Sequence, residues 1–170
     1  MTFFKGIGAL VLALVAFSVF SFKLPKGDKA MGGLADAAVA TFLVEAIFKY
    51  ICGDFIGIKF LGEVGAASGG MGAVAAAALV GLSMGTNPVF AIAAAAAVSG
   101  CGILTGFIVA YIMSFFMGKF VKLLPPGLDV ILGTLVAAAL ARAIAVLVDP
   151  AVNTVISTVE KNKIQQKMEK

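Results

Sequence analysis

Long apolar stretches, separated by turns or by single charges, limit what this chain can fold into. Four of them approach or exceed the ~20 residues that an α-helix needs to cross a bilayer: 6–22, 65–85, 89–117 and 128–148. Hydrophobic residues make up 61% of the chain and charged residues only 13%, whereas soluble domains average roughly 45–50% and 25%. The sequence therefore predicts a membrane protein, and it excludes an ordinary soluble domain and a disordered chain.

These stretches predict an all-α fold, a polytopic transmembrane helix bundle with about 4–5 spans. Residues 6–22 are interpreted as an uncleaved span rather than a secretory signal peptide, because residues 18–22 lack the small-x-small pattern of a cleavage site. Residues 1–160 are expected to form a single transmembrane domain, and residues 161–170 to form a polar C-terminal tail.

A re-entrant or amphipathic element is expected beside the spans. Residues 31–51 have a helical pattern but carry charges, and residues 52–64 combine glycines with charges, which predicts a loop or re-entrant piece at the membrane surface. Whether 31–64 spans, re-enters or lies on the surface stays open at this stage. Near the C-terminus, an apolar stripe at helical spacing predicts an amphipathic helix; it consists of Val152, Val155, Ile156 and Val159.

Several turn signals divide the second half of the chain. Asn87 followed by Pro88 predicts a helix start, with Asn87 as cap and Pro88 at the first helical position. Residues 99–102 (SGCG) predict a kink or break inside the run 89–117. Asp129 is expected at the start of the last strong span, and Asp149 with Pro150 predicts that a new helix restarts there.

Small residues recur at every fourth position along residues 65–85. On one continuous helix they would form a groove that lets another helix approach closely, so that dispersion contacts hold the pair together. This pattern predicts a tightly packed helix; its members are Gly65, Gly69, Ala73, Ala77, Gly81 and Gly85.

Lysines are scattered between the apolar blocks and give the chain a net charge of +4. This distribution does not indicate nucleic-acid binding, because no basic face with stacking aromatics occurs. The loop 23–29, the connector 119–122 and the tail would each be cytoplasmic by the positive-inside tendency. A single crossing at 128–148 would put the connector and the tail on opposite sides of the membrane. Either residues 151–159 form a re-entrant element, or one of these cytoplasmic assignments is wrong.

The composition removes several kinds of chemistry. The chain contains no His, and His is the commonest general base and metal ligand. Its two cysteines, Cys52 and Cys101, are too few and too distant for a disulfide framework or a zinc knot. We therefore expect no enzyme activity, no metal site and no cofactor.

Charges inside a bilayer are costly, so each is a functional candidate. Glu63 precedes the glycine-rich stretch in a predicted loop, a place where transporters put solute-binding groups. Arg142 lies inside the last span, where it either snorkels to the surface or faces a polar cavity. In the cavity it would pair with Glu45 or Asp36, or hold an anionic ligand.

Two further candidates have simpler structural interpretations. Glu45 lies four residues before Lys49, which suits an ion pair on one helix face as well as a ligand role. Asn87 suits a helix cap as well as a solute contact. The candidate substrate-binding residues are thus Glu63, Asn87, Arg142 and Glu45.

The stretch from Gly70 to Val159 resembles the membrane-embedded, sugar-translocating EIIC subunit of the bacterial phosphotransferase system. The likeness lies in GGMGAVAAAALVGLSMG, GFIVAYIMSFFMGKFVKLLPPGLDVIL and VLVDPAVNTVISTV. These are a Gly/Ala-rich span, a glycine-containing helix with a basic connector and a proline-marked restart, and a span end with an amphipathic helix. Family members usually run to about twice this length, and no segment here matches a sugar-contacting motif.

The resemblance implies a membrane subunit of a solute transporter, of sugar class, in the bacterial cytoplasmic membrane. The short length suggests a half-transporter that acts as a homo-oligomer or with a sister membrane subunit. Cytoplasmic phosphocarrier proteins are further expected partners, and they would carry any phosphoryl chemistry. The alternative is a structural or assembly subunit of a larger membrane complex, because abundant Gly and Ala with few polar groups fits a packing role equally well.

Overall fold

The structure is a computed structural model that describes residues 19–125 and 127–168. The described residues are almost entirely helical and contain no strand, which confirms the predicted all-α class. A helical segment at 19–23 precedes α1. The helices that follow are α1 Gly27–Phe55, α2 Lys59–Gly70, α3 Gly72–Ser83, α4 Pro88–Ala97, α5 Ile103–Phe120 and α6 Asp129–Met168.

Three described helical stretches are long and apolar enough to cross a membrane: Gly27–Phe55, Ile103–Leu123 and Asp129–Thr154. The pair α2 and α3 meets the same criterion together, although it bends by 57° at Met71. The described residues therefore hold three spans, or four with the bent pair, which agrees with the expected polytopic bundle. The predicted first span, 6–22, lies outside the described residues except for its last four positions.

The first half of α1 packs antiparallel to α3. Lys26, just before α1, donates from Nζ to the carbonyl of Met84 at the end of α3, over 2.9 Å. Farther along, Gly33 lies against the backbone of Val80. These two contacts place the start of α1 beside the turn that joins α3 to α4.

Helix α5 runs in the same direction as α3 and packs closely on it. Near their starts, Gly106 lies against the backbone of Ala73. Near the end of α3, the Thr86 hydroxyl donates to Ser114 Oγ over 2.9 Å. Because α5 continues beyond Ser114, its last turns extend past the α3–α4 turn.

Helix α6 runs antiparallel to α5 and in the same direction as α4. Gly133 lies against the Phe90 ring near the start of α4, and Arg142 reaches the carbonyl of Ala97 at its end. Asp149 contacts Thr105 near the start of α5. The bundle thus has an Asn87 end, at the α3–α4 turn, and an Asp149 end, at the α4–α5 connection.

Alanine dominates the buried core of the bundle, which brings the helix axes close enough for backbone atoms to touch. One row on α6 recurs at every fourth residue and faces α4 and α5; it consists of Gly133, Ala137, Ala141 and Ala145. The sequence analysis missed this row, although its spacing matches the one noticed at 65–85.

The predicted continuous groove on residues 65–85 is wrong, because the helix bends at Met71. The local sequence GGMG has low helix propensity, and Met71 makes a tight backbone bond to Ser68. The small residues therefore face different neighbours. Gly65 and Gly69 lie against α1, Ala73 against α5, Gly81 against Ala91 on α4, and Gly85 forms the turn after α3, while Ala77 is buried in the core.

Residues 52–64, predicted as a loop or re-entrant piece, form the end of α1, a turn at 56–58 and the start of α2, so they are helical and not a loop. The second half of α1 includes the π-helical stretches Val39–Leu43 and Ala46–Phe55. Ala46–Phe55 and α2 pack on each other as a helical hairpin, which we call the arm. Within the arm, Gly65 alone is buried, so the arm presents most of its surface outward.

The predicted restart at Asp149 and Pro150 is also wrong, because α6 continues through Pro150 to Met168. No stretch of α6 turns back, so the connector 119–122 and the helix after Thr154 lie at opposite ends. The division at residue 160 stays a prediction. The loop 23–29 and the connector 119–122 do lie at one end, since Lys26 reaches the α3–α4 turn and Lys122 lies beside it.

Two adjacent glycines in α1 test the close packing. A Cβ at Gly33 would lie 2.7 Å from backbone atoms of α3, whereas a Cβ at Gly32 would meet nothing within 4 Å. We expect Gly33→Ala to cost about 1–3 kcal/mol through overpacking, and Gly32→Ala to stabilise through helix propensity. Thermal unfolding in detergent measures both. Equal melting temperatures for the two variants would contradict the predicted contact between α1 and α3.

Candidate functional site

A polar cleft with a cavity volume of about 270 Å³ opens at the Asn87 end. It forms because the α3–α4 turn stops short of the ends of α5 and α6, which make its walls. Polar side chains from all three elements line it, beside one aromatic residue: Thr86, Asn87, Phe90, Ser114, Lys122 and Asp129. Small-molecule sites are concave, with a few converging polar groups in an apolar surround, and this cleft has that character.

Local sequence specifies the turn at the base of the cleft. Gly85 has φ 86°, a left-handed conformation that favours glycine, and it ends α3. Its N–H bonds to the carbonyl of Leu82 and that of Thr86 to Gly81, each over 2.9 Å, the pair of bonds that closes many helix C-termini. The next helix begins immediately afterwards, so the turn is short and rigid.

Asn87 caps α4, as the sequence predicts. Its Oδ1 accepts from the N–H of Val89 over 2.9 Å, and Pro88 occupies the first turn. The side chain is exposed to the cleft. Because capping uses only the oxygen, the amide NH₂ group can still donate to a bound molecule.

A chain of hydroxyl groups crosses one wall of the cleft. Thr86 Oγ1 donates to Ser114 Oγ, which donates over 2.7 Å to the carbonyl of Ala110. Each hydroxyl has spent its single hydrogen but keeps acceptor capacity. This wall therefore favours ligand groups that donate hydrogen bonds.

The other side of the cleft carries both signs of charge. Lys122 follows α5, and Asp129 begins α6, where its carboxylate suits the positive end of the helix dipole. Asp129 Oδ1 accepts from the N–H of Gly127 over 3.3 Å. Neither charge belongs to an ion pair within the described ranges, so the cleft offers a strong donor and a strong acceptor.

Of the four candidate substrate-binding residues, the structure places only Asn87 in this cleft. Glu45 lies in α1 next to the arm, beside Gly69, and forms the predicted pair with Lys49 over 3.0 Å. Glu63 is exposed on α2. The four candidates therefore do not come together in one site within the described part of the chain.

Arg142 lies at the Asp149 end and donates to the carbonyl of Ala97 over 3.4 Å. It forms no ion pair with Glu45 or Asp36 within the described residues, where Glu45 pairs with Lys49; the alternative of an anionic ligand at Arg142 stays a prediction. Sequence reasoning also missed Asp149, whose Oδ1 accepts from Thr105 Oγ1 over 2.7 Å and from Gly102 N over 3.3 Å. The signal available for Asp149 was a carboxylate directly after a long apolar span.

Similarity to a known protein family indicates the class of membrane protein in which this cleft occurs. The family model described as "Phosphotransferase system, EIIC" matches residues 28–169, most of the chain. The chain belongs to this family. No curated protein and no solved structure gives a significant match to it. The match extends well beyond the stretch 70–159 on which the sequence resemblance stood.

Membership makes the chain an EIIC-type membrane subunit of the phosphotransferase system, a class of membrane transport components. The spans found in the described residues agree with an integral membrane protein. The cleft at the Asn87 end brings together polar groups from the α3–α4 turn, the end of α5 and the start of α6. It is therefore the candidate solute site of this membrane subunit.

Cysteine labelling tests whether water reaches the cleft at the Asn87 end. In a background with Cys52 and Cys101 replaced by Ala, we expect Ser114→Cys to react with a charged maleimide. Ala94→Cys, which is buried at 3% exposure in the core below the cleft, should stay unreactive. We expect the reaction at position 114 in inside-out vesicles and not in intact cells, because the loop 23–29 and the connector 119–122 at this end carry five lysines, against three in residues 161–168 at the opposite end. Equal labelling at both positions would contradict a closed core beneath the cleft.

Proposed function

We propose that this EIIC-type subunit binds a polyhydroxylated solute, of sugar class, in the cleft at the Asn87 end and carries it across the bacterial cytoplasmic membrane. The observation that supports this most is the convergence of an amide, two hydroxyls, a carboxylate and an ammonium group in one cavity. A sugar presents many hydroxyls, each both donor and acceptor. Such a solute matches a cleft that mixes free donors with free acceptors.

The proposed role of each side chain in solute binding follows from the hydrogen-bond donors and acceptors that it does not use within the protein. The Asn87 amide and the Lys122 ammonium donate to solute oxygens. Asp129, Thr86 and Ser114 accept from solute hydroxyls. Phe90, whose side chain is 4% exposed, forms the apolar floor. In this proposal, Glu45 and Glu63 do not contact the solute within the same chain, and Arg142 acts at the opposite end.

The hairpin of α3 and α4 is the element that we propose to move during transport. Helix α4 has 10 residues and α3 has 12, which correspond to about 15 and 18 Å, less than the ~30 Å hydrocarbon core. The α3–α4 turn therefore ends partway along α5 and carries Asn87 with it. Sliding or tilting this hairpin would open the cleft toward the Asp149 end.

We propose further that the subunit works as a homo-oligomer or with a sister membrane subunit. The arm supports this, because its large apolar residues face outward; Tyr50, Phe55, Ile56 and Phe60 are all more than half exposed. A second protein can cover this surface as well as lipid can. Phosphoryl transfer would take place on cytoplasmic phosphocarrier proteins, which would meet the Asn87 end of the subunit.

Substitutions at Asn87 separate its capping role from a role in solute binding. Asn87→Ala should cost about 1 kcal/mol of stability through the lost cap, whereas Asn87→Ser keeps a capping oxygen. We expect Ser to restore the melting temperature but not the rate of sugar uptake in proteoliposomes or cells, because it lacks the donating NH₂ group.

The matched control is Asn162→Ser, since Asn162 lies on α6 far from the cleft, towards the opposite end of the bundle. If Asn87→Ser restores uptake together with stability, Asn87 is only a cap, and its place in the solute site is lost.

The assembly proposal has a direct test in gentle detergent extraction followed by mass spectrometry of the co-purified proteins. We expect a second copy, a sister EIIC subunit or a phosphocarrier protein. Recovery of unrelated membrane-complex subunits alone would instead favour the structural or assembly role.

A further inference from the structure

Two side chains of α6 contact both sides of the break between α4 and α5. Arg142 donates to the carbonyl of Ala97, at the C-terminus of α4, over 3.4 Å. Asp149 accepts from Gly102 N over 3.3 Å and from Thr105 Oγ1 over 2.7 Å, at the N-terminus of α5. The two residues are seven apart and share one face of α6. We call this pair of contacts the clasp.

The break has few bonds of its own. Residues 98–102 contain Gly100 at φ 83°. The backbone bonds at the break each connect residues three apart, and they include those of Ser99 N to Ala96 O at 3.3 Å and of Cys101 N to Val98 O at 3.1 Å. The last carbonyls of α4 and the first N–H groups of α5 have no partners within their own helices. A cation at a helix C-terminus and an anion at a helix N-terminus also match the helix dipoles. The clasp therefore supplies both the partners and the charges that the break lacks.

The clasp acts on the same short helix that forms the cleft. Helix α4 carries Asn87 and Phe90 at one end and Ala97 at the other, about 15 Å apart at 1.5 Å per residue. Its buried face consists largely of alanines, which have no long side chain to interlock with neighbours. Helix α6 contacts it at both ends, through Gly133 against Phe90 and through Arg142. A ten-residue helix moves as a rod, so a shift at Ala97 displaces Asn87.

We propose that Arg142 and Asp149 are positioning residues for transport: by holding the α4–α5 break, they fix where α4 places Asn87 and Phe90 in the cleft at the opposite end. This deepens the proposed function and rests on it, because the cleft is the proposed solute site. Release of the clasp is then the step that lets α4 move.

Cys101 lies within the break, is partly buried and is free, so it reports on the clasp directly. In a Cys52→Ala background, we expect Thr105→Val to raise the alkylation rate of Cys101 by N-ethylmaleimide about tenfold, the factor expected from losing one hydrogen bond to a charged group. Thr105→Ser keeps the hydroxyl and should restore the original rate. Asp149→Asn keeps an accepting oxygen but loses the charge, so its rate should fall between those of the original chain and Asp149→Ala.

A second cysteine reports on the cleft. Both native cysteines are replaced by Ala, and a single cysteine is introduced at one of two positions. Thr86→Cys places it at the α4 end of the cleft, and Gly118→Cys places it on α5. We expect Thr105→Val and Arg142→Gln to change the alkylation rate at position 86 several-fold while that at position 118 stays constant. Neither measurement uses a transported solute, so a cleft that proves not to bind sugar leaves both results interpretable.

Two control variants remove the same chemical groups elsewhere. Asp36→Asn removes an exposed carboxylate of α1. Thr134→Val removes a hydroxyl that bonds only to Val130 of its own helix. Both variants should leave the alkylation rates of Cys101 and of the cysteines introduced at positions 86 and 118 unchanged. The proposal is overturned if Thr105→Val and Thr105→Ser behave alike, since packing and not the hydroxyl would then matter. It is overturned equally if Cys101 responds but position 86 does not, or if the control variants have the same effect.

Discussion

Backbone N–H and C=O groups have no water to bond with inside a bilayer, and each one left unpaired costs several kcal/mol. The described part of the chain nevertheless interrupts its helices at Met71, at the α3–α4 turn and between α4 and α5. Each interruption is closed by a different device. A tight backbone bond bends the chain at Met71, a glycine turn with an asparagine cap joins α3 to α4, and two charged side chains of α6 hold the start of α5 and the end of α4.

Those interruptions explain where the polar groups lie. The bundle core is built mainly of alanine, with glycine, valine and methionine, and its buried polar side chains in the described ranges are Thr41 and Thr105. Polarity is concentrated at helix ends, where backbone groups and side chains satisfy one another. The cleft at the Asn87 end and the clasp at the Asp149 end are therefore consequences of the same constraint. A transport subunit needs polar contacts for its solute and a backbone that can move, and interrupted helices provide both.

Small residues make this arrangement compact. Gly106 against Ala73 and Gly33 against Val80 let backbones touch, so dispersion contacts can hold helices that gain nothing from leaving lipid. The arm also has glycine contacts, such as Gly53 against Gly62, but only Gly65 within it is buried. Membership in the EIIC family places these features in a membrane transport component, in which we propose that the α3–α4 hairpin moves within a packed bundle.

The sequence by itself determined the helical class, the membrane location, the break at 99–102 and the cap at Asn87, because each depends on local composition or on a few adjacent residues. The every-fourth spacing of small residues was equally visible, but its partners were not: the bend at Met71 divides one apparent groove among α1, α4 and α5. Only the tertiary structure decided that Arg142 and Asp149 meet a break some 45 residues away in the chain, and that Thr86, Ser114 and Asp129 share a cleft. Contacts of that kind depend on helix direction and crossing, which residue periodicity does not encode.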